Sequence, residues 1–221
     1  MKPYYEQDGV TIYHGDSREI APFVEADVVL TDPPYGVGLS ARTTKHSRRE
    51  GAYTQFEDSE ENIASAVIPL VTGLIERIGR AVITPGNRCM WMYPKPDDIG
   101  VIWHPAGAGR TRWGFNCSTP ILYYGKDPYL VAGLGGRPNG FSWNNAAENN
   151  GHPCPKPIQV MTWMVGRASL DGHAILDPFM GSGTTLIAAK KLGRRAIGIE
   201  IEERYCEIAA KRLAQGVFNF G

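Results

Sequence analysis

Ala174-Ile175-Leu176-Asp177-Pro178-Phe179-Met180-Gly181-Ser182-Gly183-Thr184-Thr185 decides the fold of this 221-residue chain. The opening apolar run reads as a short buried strand, which Asp177 closes. A proline and two glycines make the turn, and residues 186–192 read as a helix that stops at Gly193. Strand, glycine turn and helix are the first half of a nucleotide-binding βαβ unit. Gly181 and Gly183 let the backbone approach a ligand closely, and the helix start offers unpaired N–H groups. The next apolar run, 195–199, ends at Glu200. An acid about twenty positions past such glycines is well placed to bond ribose hydroxyls.

The loop lacks a third glycine, and it lacks the Gly-Lys-Ser/Thr ending of a phosphate-binding P-loop. No Lys or Arg accompanies it to meet a pyrophosphate, whereas Asp177 and Glu200 supply negative charge. That balance suits a cationic, amino-acid-bearing nucleoside, and S-adenosylmethionine has that character in its sulfonium, ammonium and ribose. A lone Gly-x-Gly reads equally well as a tight βα turn. The strand, the helix and Glu200 together outweigh that plainer reading.

A second stretch lies earlier. The run Asp27-Val28-Val29-Leu30 reads as a buried parallel strand, and Thr31-Asp32-Pro33-Pro34-Tyr35 follows it. Side chains just past the carboxyl end of such a strand sit where open α/β sheets hold their ligands. Two prolines fix φ and remove two N–H donors, so the corner is stiff and presents carbonyl acceptors. A carboxylate, a bare carbonyl and an aromatic face suit an exocyclic amine on a flat heteroaromatic ring. The plainer reading is a Pro-Pro strand terminator with a packed tyrosine.

Asp-Pro-Pro-Tyr together with Asp-Pro-Phe-x-Gly-Ser-Gly-Thr-Thr resembles the amino-directed DNA methyltransferases, which methylate N6 of adenine or N4 of cytosine. The catalytic motif comes first and the cofactor glycines last, which is similar to the circularly permuted β group. His14-Gly15-Asp16-Ser17 stands where that group has an acid for the cofactor adenine, and His152-Pro153-Cys154-Pro155-Lys156-Pro157 matches its His-Pro-x-x-Lys-Pro motif. The resemblance implies a Rossmann-like α/β fold, mainly parallel with helices on both faces. It implies S-adenosylmethionine as cofactor, held by Asp16, Lys156, Asp177, Phe179, Gly181, Ser182, Gly183, Thr184 and Glu200. Asp32, Pro33, Pro34 and Tyr35 would carry the chemistry. Taken alone, Asp16 reads as a helix N-cap or turn residue, and His152 and Lys156 read as solvated tips of a Pro-rich loop.

Chain length and ordinary composition are those of one α/β domain, 1–221. The formal net charge is +0, so any nucleic-acid patch must be local. Residues 38–59 are polar and carry Arg42, Lys45, Arg48 and Arg49, which read as a phosphate clamp beside the catalytic corner or as a solvated loop. Arg110, Arg112 and Lys126 could extend such a clamp. Cys89, Cys117, Cys154 and Cys206 form no Cys-x-x-Cys pair, so zinc is not expected. With no apolar run of membrane length and no leader, a reduced cytoplasm is expected. Apolar spacing predicts a helix over 63–78, interrupted by Pro69 and Gly73. Residues 127–151 are the one stretch open to target recognition, and they are few. A short site read together with 38–59, a homodimer, or relaxed specificity would each account for that. Phe141 and Trp143 either pack or touch bases.

The expected reaction is methyl transfer to adenine N6. Asp32 and the Pro33 carbonyl would accept the amine N–H bonds while Tyr35 stacks on a base that is flipped out or unpaired. Adenine is favoured because the corner begins with Asp, where a Ser in the resembled group more often goes with cytosine N4. Cytosine N4, RNA, or a module that binds nucleic acid without catalysing remain the alternatives.

Overall fold

Runs such as Val28-Val29-Leu30 are apolar on both sides of the pleat, so they are stable only in a sheet covered on both faces. The computed structural model describes residues 1–38, 55–105, 107, 110–144 and 156–215. Its strands are β1 (Tyr5–Gln7), β2 (Val10–His14), β3 (Val28–Thr31), β4 (Ala81–Ile83), β5 (Asp98–Trp103), β6 (Arg110–Thr111), β7 (Gly114–Phe115), β8 (Ser118–Tyr124), β9 (Phe141–Ser142), β10 (Ala174–Asp177) and β11 (Arg195–Glu200). The α-helices are α1 (Ser17–Ile20), α2 (Glu60–Asn62), α3 (Ile68–Ile78), α4 (Gly86–Cys89), α5 (Pro128–Val131), α6 (Ile158–Ala168), α7 (Thr184–Lys191) and α8 (Glu203–Ala214).

Nine strands form one sheet in the order β1-β2-β11-β10-β3-β4-β8-β5-β9, and β6 and β7 make a separate hairpin. From β2 through β4 the neighbours run parallel, while β8 is antiparallel to both β4 and β5. Connections leave β10 toward β11 on one side and β3 toward β4 on the other. The β10–β3 boundary is therefore the topological switch point, where open α/β sheets form their ligand crevice.

Alternate residues of the central strands feed two cores. Val28 and Leu30 join Val160, Met164, Leu186 and Ala209 of α6, α7 and α8 on one face. Val29 joins Val67, Val71 and Leu74 on the other. All three strand residues are fully buried, each stabilising the fold by about 1.5–3 kcal/mol.

Three local features differ from the sequence reading. Tyr5–Gln7 is a strand that pairs with β2 through Asp8-Gly9, both at positive φ (51° and 76°), an arrangement that matches the two-residue hairpin signal Asp-Gly. The helix over 63–78 is not broken at Pro69. A π turn over Ile63–Val67, in which Ile68 N–H reaches the Ile63 carbonyl, absorbs the missing proline donor, and α3 runs through Gly73. Phe141, in the stretch 127–151 taken as open to target recognition, pairs beside β5, and its ring stacks on Trp163 at 5.2 Å and Trp143 at 6.4 Å. Both aromatics thus pack against the fold and are only partly buried.

Candidate active site

The parallel register sets Leu176 opposite Val29, so the residues that follow β3 and close β10 emerge side by side. Between them opens a cavity of about 300 Å³, lined by Asp32, Tyr35, Lys156, Asp177, Phe179 and Glu200 among others. Pro33 and Pro34 also line it. Every residue of the Asp-Pro-Pro-Tyr corner thus faces the same space as the glycine loop.

Asp32 is held from three directions. The Thr84 hydroxyl donates to Oδ1 at 2.6 Å, the Tyr35 hydroxyl donates to the same oxygen, and Lys156 Nζ lies 2.7 Å from Oδ2. Lys156 also donates to the Tyr35 hydroxyl at 2.6 Å. Burial and the Asp32 charge raise the Tyr35 phenol, so it stays protonated and remains a donor. Tyr35 rests on Gly86, where a Cβ would come within 2.8 Å of Cγ of the ring and where φ is +68°. Glycine at 86 is what allows that ring to lie flat against the backbone. Thr84 and Gly86 were not singled out from the sequence. The signal was available, since Thr84 directly follows β4, the parallel neighbour of β3, and Gly86 opens α4 just beyond it.

The glycine loop is fixed from below. Glu200 Oε2 accepts Gly181 N–H at 3.0 Å and Oε1 accepts Glu202 N–H at 2.9 Å. Asp177 accepts the Thr31 hydroxyl at 2.7 Å and Phe179 N–H at 3.1 Å. Gly181 and Gly183 take φ of +52° and +77°. Ser182 and Thr184 line the cavity with Gly181, whereas Gly183 turns the chain behind them. The expectation that no Lys or Arg lies near this loop is corrected by Arg212 of α8. Its guanidinium donates to the Ser182 carbonyl at 2.6 Å and lies 3.3 Å from the Ser182 and Thr184 hydroxyls. Thirty residues separate Arg212 from Ser182 in sequence, so only the fold brings them together.

Asp16 caps α1, accepting Arg18 N–H at 2.9 Å, and it pairs with the Arg18 side chain, which holds its carboxyl low. It lines the cavity as well. Its neighbour Ser17, which sequence reasoning passed over, donates to the Pro178 carbonyl and ties α1 to the glycine loop. Asp58, also missed, is 1 % exposed and accepts Gly36 N–H at 2.6 Å and Val37 N–H at 3.2 Å. Gln55 N–H donates to Glu202 at 2.7 Å. Arg42, Lys45, Arg48 and Arg49 lie outside the described residues, as do His152 to Pro155 of the proline motif. Asp58→Ala strands two N–H donors in a buried setting. It is expected to cost about 3 kcal/mol, read as a lower denaturant midpoint, with Asn recovering part. A loss under about 1 kcal/mol would show that the contact carries no weight.

Electrostatics give the cavity its character. Burial pushes Asp177 up to about 6 and Glu200 up to about 7, against the hydrogen bonds that favour their ionised forms. Such desolvated carboxylates are relieved by a cation placed beside them. The donor set therefore fits the sulfonium and ammonium of S-adenosylmethionine. Each Glu200 oxygen has a second lone pair with which to accept a ribose hydroxyl.

Comparison with known proteins agrees with this geometry. The family model described as DNA methylase, for N6 and N4 methyltransferases, matches residues 89–211. The type II methyltransferase M2.DpnII of Streptococcus pneumoniae is 50% identical, over 96% of this chain and 92% of that protein. The type II methyltransferase M.ScaI of Streptomyces caespitosus is 27% identical over 98% and 86%. Among solved structures, PvuII DNA methyltransferase (cytosine-N4-specific) has a TM-score of 0.69 at 17% identity, covering 100% of this chain and 91% of that one. An M1.HpyAVI–SAM complex has 0.65 at 21%, covering 92% and 98%. Fold and site together define an S-adenosylmethionine-dependent methyltransferase acting on DNA. The chain belongs to the DNA methylase family.

Proposed function

We propose that this enzyme methylates adenine N6, within a single domain, on a base that has left the duplex stack. The observation that carries the reading is Asp32, fixed by Thr84 and Tyr35 beside the cavity that also holds Asp177 and Glu200. Aspartate rather than serine opening the corner favours adenine over cytosine. Bound S-adenosylmethionine supplies an electrophilic methyl on a sulfonium, so no metal or covalent enzyme intermediate is required.

Asp32 and the Pro33 carbonyl accept the two N–H bonds of the target amine. They hold the nitrogen as its lone pair leaves the ring, and they stabilise the positive charge that develops there. Tyr35, pinned at its hydroxyl and backed by Gly86, offers its other face for stacking. Fixing the amine in line supplies much of the remaining rate. Asp32 is 22 % exposed at the floor of a crevice, out of reach of a base paired within a duplex. Phe179 and the glycine loop shape the cofactor side, while Asp16 at the α1 start and Glu200 bond the nucleoside.

Arg42, Lys45, Arg48 and Arg49 form the phosphate clamp in this reading. What supports it is that the residues on either side of that stretch lie at the cavity, Gly36 and Gly38 bonded to Asp58 and Gln55 bonded to Glu202. Few residues are left for target recognition, so a homodimer that doubles the DNA contacts is part of the proposal. Its mass in solution, with and without DNA, tests that part.

Ionised Asp177 and Glu200 favour the cationic cofactor, so affinity must rise as pH climbs through their values of about 6 and about 7. Calorimetry between pH 5.5 and 7.5 is expected to show about a tenfold tightening. A flat profile would mean that neither carboxylate senses the ligand. The opposite sign holds for the cofactor-free fold. Its raised carboxyl values make it lose stability as pH rises from about 4 to about 7.

A further inference from the structure

Lys156 and Asp32 present a donor and an acceptor side by side. Asp32 Oδ1 has its lone pairs taken by Thr84 and Tyr35, so Oδ2 is the oxygen left to meet an incoming amine. Lys156 Nζ stands 2.7 Å from that oxygen and is also held by the Tyr35 hydroxyl at 2.6 Å. An ammonium has only donors to offer. The pair therefore spans about the separation of the oxygen and nitrogen of a carboxamide, the group that reads base edges by two parallel hydrogen bonds.

An amino base shows the complementary pattern on adjacent atoms of its Watson–Crick edge. Adenine has the N6 donor next to the N1 acceptor, and cytosine has the N4 donor next to N3. Guanine and thymine show the reverse order, an acceptor next to an N–H donor. Placed against Asp32 and Lys156, their carbonyl would meet the carboxylate and their N–H would meet the ammonium, and both contacts are repulsive.

We propose that Lys156 is a specificity residue. When the target amine bonds Asp32 Oδ2, the Lys156 ammonium donates to the adjacent ring nitrogen, so the two side chains together admit amino bases and reject keto bases. This assigns Lys156 to the substrate, where the resemblance to the family had implied the cofactor. It rests on the reading of Asp32 as the amine acceptor. Lys156 Nζ, bonded to the Tyr35 hydroxyl at 2.6 Å and 4.8 Å from the ring centroid, stands at the hydroxyl end of the stacking surface.

Base analogues that delete one acceptor test this directly. The full chain with S-adenosylmethionine is given oligonucleotides carrying adenine or 1-deazaadenine at the mapped target position. The analogue keeps the exocyclic amine and replaces N1 by C–H. Single-turnover methyl transfer by the wild type is expected to fall roughly 10- to 100-fold on the analogue, because a buried donor is left unpaired. Lys156→Met is expected to treat the two substrates within about twofold, and Lys156→Arg to restore discrimination. Cofactor binding by each variant, measured by calorimetry, verifies its fold, and the wild-type comparison stands even if a variant does not fold.

Equal rates on adenine and 1-deazaadenine by the wild type would overturn the proposal, as would undiminished discrimination in Lys156→Met. A wild type that ignores adenine but methylates cytosine would instead refute the adenine reading. In that case 3-deazacytosine, which lacks N3, carries the same comparison for Lys156.

Discussion

Asp32→Ala is expected to lower methyl transfer by about 10³-fold or more while leaving cofactor affinity within about threefold. The two effects separate because Asp32 bonds Thr84, Tyr35 and Lys156, whereas the side of the cavity proposed for the cofactor is built by Asp177, the glycine loop and Glu200. In the proposed mechanism its removal takes away the acceptor on which the amine nitrogen pyramidalises, and it frees Tyr35 and Lys156 from the geometry they share. Asp32→Asn should fall between the two, since one amide oxygen remains to accept. Labelled-methyl incorporation and calorimetry measure the two quantities. Substantial turnover by Asp32→Ala would remove the corner from the chemistry.

Gly183→Val is expected to have the largest structural effect, a loss of about 3 kcal/mol together with cofactor binding. Gly183 has φ of +77°, a region that a β-branched residue adopts only with strain. A Cβ there would stand 2.7 Å from the Cβ of Ala209 in α8, so α8 must move or the loop must unfold. The same helix carries Arg212, whose bonds to Ser182 and Thr184 fix the loop, and movement would loosen those as well. Thermal denaturation and calorimetry read both losses. A variant that keeps its midpoint and binds cofactor normally would show that α7 and α8 do not need this close approach.

Much of the cavity's lining was legible because it sits at strand ends. Asp32 and Asp177 follow apolar runs, and a parallel sheet gathers such residues at one edge whatever the intervening chain does. Glu200 was legible for the same reason. The residues that escaped notice act through partners far away in sequence. Arg212 reads as a solvated charge late in an amphipathic helix, and nothing local says that it will cap a loop thirty residues earlier. Asp58 reads as one acid among several in a polar stretch, yet it is buried on the N–H groups of Gly36 and Val37. Lys156 was found, but from the motif alone its contact could not be read. Only the docking of α6 brings its ammonium to Asp32. The π turn before Pro69 was illegible for a different reason. A proline tells of a missing donor but not of how the neighbouring turn will compensate, and a widened turn cost less here than a break.

The central claim, that this corner methylates adenine N6, is tested most directly by identifying the product. Unmodified DNA is incubated with the enzyme and labelled S-adenosylmethionine, digested to nucleosides and resolved by mass spectrometry. The expected result is label in N6-methyldeoxyadenosine alone, lowered by about 10³-fold or more with Asp32→Ala. Label in N4-methyldeoxycytidine, or labelling by the Asp32→Ala variant within about tenfold of the wild type, would contradict it.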